Sequence, residues 1–120
     1  GKPNDLMVGS KIGGVNVFGG GLGLYATGKK LIGAVGLSGD TSCSDHYIAW
    51  RVRHALGLDH LFGVGGPAAA FPPFDTNHPD NMVFDITPNV NGGTGVSAQG
   101  FGHPHCFNDT PTSALPNVIP

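Results

Sequence analysis

Between Leu31 and Arg53 the chain reads LIGAVGLSGDTSCSDHYIAWRVR, and its period changes midway. Leu31, Val35 and Leu37 share one face of an extended segment, with Gly33 between them; Ile32, Ala34 and Gly36 share the other. Both faces are apolar, which in a strand predicts that both are covered. The small residues leave room for a helix, a neighbouring chain or a planar ligand to approach closely. After Ser38-Gly39-Asp40-Thr41, the residues Ile48, Val52, Ala55 and Leu56 recur at helical spacing, with Tyr47 beside them. Ser42 and Asp45 have the spacing of a capping box, with Asp in place of Glu. Gly57 suits the C-terminal cap. The pattern predicts a strand, a tight turn and a helix over about residues 43–56, its Ile48–Leu56 stripe buried.

Upstream, short apolar runs alternate with glycine clusters. They predict a strand around Val15–Phe18, then a hairpin with arms Leu22–Ala26 and Leu31–Leu37 around Thr27-Gly28-Lys29. Downstream, residues 65–80 read as loop, Asn81–Ile86 as a last strand, and the remainder as coil that must lie on something to be ordered. Gly and Pro make up 31 of 120 residues, yet 39% hydrophobic content with seven Phe argues for a packed core. The reading is one α+β domain over 1–120. Residues 1–11 form a lead-in, 12–57 the sheet and helix, and 58–120 an extended Gly/Pro-rich tail with one strand. One helix and a few short strands cannot cover both faces of such a hairpin, so neighbouring protein is expected to complete it.

Charge supports that expectation. Only 12% of residues are charged, about half the usual share. A surface so poor in charge suits contact with another subunit; a secreted protein with a neutral polar surface is the alternative. All six Lys and Arg lie in residues 1–53, and residues 54–120 carry five Asp and no base. No basic stripe with interleaved aromatics exists, which argues against nucleic acid. No apolar run is long enough for a membrane span. The chain opens with Gly1, which suggests a processed or incomplete N-terminus. Cys43 and Cys106 are too far apart for a CxxC pair. Either they form a disulfide, worth about 4 kcal/mol in the loop-entropy account and requiring an oxidising compartment, or they are two buried thiols. The disulfide is the preferred reading, and with it a periplasmic or secreted location.

The segments GGVNVFGGGLGLY and KKLIGAVGLSGDTSCSDHYIAWRVRHALGLD resemble the GlcG/HbpS family of heme-binding and related small-ligand proteins. The match rests on the glycine-rich lead, on Gly33–Gly39 as a strand ending in Ser-Gly, and on Asp45, Ile48 and Ala49 early in the helix. DNMVFDI and GFGHPHCFND resemble a cysteine-containing branch of the same family. The resemblance implies a profilin-like antiparallel sheet flanked by helices, a homo-oligomer and heme as a cofactor. In that family a helix, two strands and another helix precede the hairpin. Their absence here implies a cleaved companion chain or a truncated sequence.

Site residues follow from both readings. Backbone N–H groups at Ser38, Gly39, Asp40 and Thr41 could hold a heme propionate or another carboxylate, unless the turn merely caps the helix. Trp50 is expected at a subunit contact or as a pocket wall. Arg51, like Arg53, could pair with propionates or with Asp residues of the second half. His103 and His105, with His46, are the candidate ligands for heme iron or zinc. No nucleophile with a nearby base and no paired acid and base is readable. The functional expectation is therefore a non-catalytic binding protein for heme or a similar ligand at a subunit interface. The alternative is a cofactor-free accessory subunit of a periplasmic or extracellular assembly.

Overall fold

A computed structural model describes residues 4, 19–70, 74–87, 95–98, 100, 102–107 and 110–120. The predicted strand at Val15–Phe18 lies outside these residues. The described elements are β1 (Gly21–Ala26), β2 (Lys30–Gly36), α1 (Ser42–Ala55), α2 (Pro67–Ala70), β3 (Ile86–Thr87), β4 (Val96–Ser97) and a 3₁₀ turn at Thr112–Ala114.

β1 and β2 form the predicted antiparallel hairpin around residues 27–29. Gly28 and Lys29 both have positive φ, the left-handed pair that a tight turn of this hand requires. The register shifts between Leu24 and Tyr25, leaving Ile32 as the extra residue of a bulge. Beyond the strands, Leu37 N–H still donates to Gly20 O at 2.9 Å. Gly20 must lack a side chain, because a Cβ there would run into the Leu37 carbonyl oxygen.

α1 is the predicted helix, begun one residue earlier. Thr41 caps it, its side chain accepting from Ser44 N–H. At the other end Leu58 N–H donates to Arg53 O and Gly57 N–H to His54 O, with Gly57 at φ +64°. That is the paired bonding of a Schellman stop.

The helix packs against the hairpin with the opposite face from the one expected. Cys43, Tyr47, Ala49 and Trp50 enter the core with Leu22, Leu61, Leu115 and Val118. Ile48, Val52, Ala55 and Leu56 are exposed. Among the described residues the hairpin's second arm is likewise uncovered, with Leu31 59% and Ile32 54% exposed. Only Val35 and Leu37 lean on the core from that arm.

The segment from Leu58 onward does more than trail. It runs back along β1, Tyr25 N–H donating to Leu58 O and His60 N–H to Tyr25 O. Pro67 starts the four-residue α2 inside the expected loop, at a position where its missing N–H costs nothing. The expected strand at 81–86 is reduced to a bridge at Val83 with Gly102, and a two-residue pair of β3 with β4. The last residues dock by Val118 N–H to Asn77 O and Ile119 N–H to Asp59 O. The described residues are therefore an α+β mixture of one long helix with two separate two-stranded antiparallel sheets. None of their helices is long and apolar enough to cross a membrane.

Candidate functional site

The strand-to-helix turn and the helix start enclose an open recess of about 480 Å³, lined by Gly19, Ser38, Asp40, Thr41, Ser42 and Asp45. Three backbone donors of the turn are already engaged. Asp45 turns its buried carboxylate back to accept from Asp40 N–H at 3.0 Å and Gly39 N–H at 3.3 Å, and Thr41 N–H donates to Asp40. An anion there would have to displace one carboxylate and sit beside another. The turn residues expected to bind a propionate are thus brought together, with the N–H groups of Gly39, Asp40 and Thr41 turned to carboxylates of the turn and helix start.

Trp50 and Arg53 occupy the centre. Trp50 is fully buried in its own chain, so it lines neither a subunit contact nor an open cleft; the sequence expectation is corrected here. Its indole N–H donates to Pro116 O at 2.9 Å, and His78 packs against it at 5.5 Å between ring centroids. The Arg53 guanidinium stacks over the same ring at 4.6 Å and grips Asp80 with two bonds, of 2.6 and 3.0 Å. A third bond reaches Gly23 O at 3.1 Å. Arg53 is therefore committed to an acid of the second half. Arg51, on the outer face of the helix, is exposed.

Cys43 and Cys106 form the expected disulfide, their Cα atoms 6.1 Å apart. It joins the first turn of α1 to the tail. Around it the three expected histidines separate. His46 is buried, its Nε2 without a hydrogen-bond partner, and burial pushes its pKa down to about 4. His103 packs edge-on to Phe84 and its Nδ1 lies 2.7 Å from Pro104 O. His105 is exposed and stacks flat on the same neighbour, 4.5 Å from the Phe84 ring centroid. His103, Cys43 and Cys106 bring potential ligand atoms within 4.8 Å of one another.

Two histidine–aspartate pairs escape sequence reading. His54 Nδ1 lies 2.7 Å from Asp59 and His78 Nδ1 lies 2.8 Å from Asp75. Only the second has a local signature, three residues apart, closed by Asp75 accepting from the His78 N–H. His54 is part-exposed over a fully buried carboxylate.

The remaining feature is apolar and open. Ile48, Val52 and Leu56 recur every four residues along the outer side of α1, and Leu31 and Ile32 stand exposed on the hairpin. Arg51 lies within the same helical face.

Residues 3–53, under half of the chain, match the family described as haem degrading protein HbpS-like. No curated protein and no solved structure matches. The matched segment takes in the hairpin, the capped turn and the helix as far as Arg53, and over that segment the chain is similar to the HbpS-like family.

Proposed function

We propose that the chain is a non-catalytic binding protein for heme or a similar planar ligand, held at a seam between subunits. The match of residues 3–53 to a family described by its relation to haem carries this reading. Heme asks a protein for an apolar surface, a cation for its propionates and an iron ligand; bound, it supplies an iron centre with coordination positions to fill. The outer face of α1 offers Ile48, Val52 and Leu56 for the first and Arg51 for the second. Of the expected histidines, His46 is too deeply buried to meet an external ring, and His105 is the exposed imidazole. The carboxylate-lined recess at Ser38–Asp45 does not suit propionates.

A seam is favoured by what the hairpin leaves open. Among the described residues β2 pairs with β1 alone, and Leu31 and Ile32 stand exposed on it. A second copy laid there would extend the hairpin toward the profilin-like sheet that the resemblance implies. The disulfide suits a periplasmic or secreted setting.

Hemin titration tests the reading. A saturable Soret shift is expected, about tenfold weaker in Arg51→Ala and lost in His105→Ala. Peroxide added to the same sample checks for the degradation that the family's description names; a persistent Soret band is expected. If hemin leaves no shift but native mass spectrometry shows an oligomer, the accessory-subunit reading replaces this one. A lone monomer that ignores hemin would end both.

A further inference from the structure

The disulfide is surrounded by more ligand chemistry than a tether needs. The sulfurs of Cys43 and Cys106 and a ring nitrogen of His103 lie within 4.8 Å of one another. His46 stands three residues beyond Cys43, on the same side of α1. It is only 5% exposed, and its Nε2 has no hydrogen-bond partner. Two sulfurs and one imidazole, drawn from one helix and one tail, thus converge at the edge of the core, with the buried His46 one helical turn along.

We propose that reduction of the Cys43–Cys106 disulfide turns this tether into a zinc site, with the two thiolates and His103 as ligands and His46 as the fourth donor. Zinc takes four nitrogen and sulfur ligands in a tetrahedron, and soft thiolates favour it over harder cations. While the sulfurs are bonded to each other they cannot serve, so the redox state gates the site. Cys43 lies in the first turn of a helix, where the dipole favours its thiolate.

The chemistry balances with a dithiol reductant. Its thiolate attacks Sγ of Cys106, the more exposed sulfur, and the Cys43 thiolate leaves. Its second thiol then attacks the mixed disulfide, frees Cys106 and closes the reductant's own disulfide. Two electrons and two protons pass to the protein, and Zn²⁺ displaces those two protons on binding. The tail would then stay fastened to α1 in both redox states, by a covalent bond in one and by a metal in the other. This inference does not rest on the heme reading.

Cobalt(II) is a suitable probe, because thiolate ligation gives it a charge-transfer band and tetrahedral geometry gives it intense d–d bands. The oxidised protein is expected to show neither. The reduced protein should bind one equivalent with both signatures, and zinc should displace the cobalt. His103→Ala and His46→Ala should each weaken cobalt binding at least tenfold, and the oxidised form of each should keep the wild-type helix signal in circular dichroism. Following that signal during reduction covers the case in which the reduced chain unfolds; zinc should then restore it. A folded reduced chain that takes no cobalt, an unfolded one that zinc does not refold, or unchanged binding in His103→Ala would overturn the proposal. Unchanged binding in His46→Ala alone would remove its fourth ligand.

Discussion

Arg53 is the only basic side chain that the described residues bury completely, and its surroundings explain how it survives there. Asp80 neutralises it, Gly23 O takes a further N–H, and Trp50 covers its plane. Lysine has neither the fork nor the flat face. Arg53→Lys should therefore cost about 3 kcal/mol, read as a lower urea midpoint with an unchanged slope. The segregation of charge along the sequence foreshadowed pairing between the halves, but which Asp meets Arg53 depends on the path of the loop through residues 74–80. His46 carries a second residue-scale consequence. Its pKa falls from 6.5 in the unfolded chain to about 4 in the folded one, so between those values the unfolded state binds more protons. Stability should fall as pH drops from about 6.5 to about 4, by up to about 3 kcal/mol. Thermal melts of the oxidised, chelator-treated protein across that range check this. His46→Gln should flatten the profile.

At the scale of elements, the hairpin and both ends of α1 were legible because their signals are local. Gly28 turns the chain, Thr41 and its neighbours start the helix, and Gly57 stops it, each by bonds spanning only a few residues. The orientation of the helix was not legible. Apolar spacing points to Ile48, Val52 and Leu56 as the inner face, yet Trp50 and Arg53 go inward, held by specific partners on distant loops, and His46 goes in beside them. Hydrophobic period records which face avoids water, and cannot say whether this chain or another one covers it. The exposed stripe makes a clean prediction. Val52→Glu should change the stability of the single chain by no more than about 0.5 kcal/mol, while shifting sedimentation velocity from an oligomer to a monomer. If the oligomer persists in that variant, the seam lies elsewhere.

At the scale of the whole molecule, the chain is closed by its far end. Cys106 is bonded to the helix start, Leu115 and Val118 sit in the core, and Ile119 and Pro120 reach back to Asp59, Phe62 and His60. The sequence showed that such a coil needs a support and named Cys106 as its tether. Its landing place on Trp50 depends on a hydrogen bond to a backbone carbonyl 66 residues away, which no local pattern encodes. Replacing both cysteines with serine frees a loop spanning 63 residues and should lower the unfolding free energy by about 4 kcal/mol. Trp50 is the chain's single tryptophan, and part of what shields its indole is the strap whose Pro116 carbonyl accepts the indole N–H. Emission from this protein is thus a built-in gauge of that strap. A red shift that precedes loss of helical ellipticity would mark the C-terminal segment peeling away while the rest still stands.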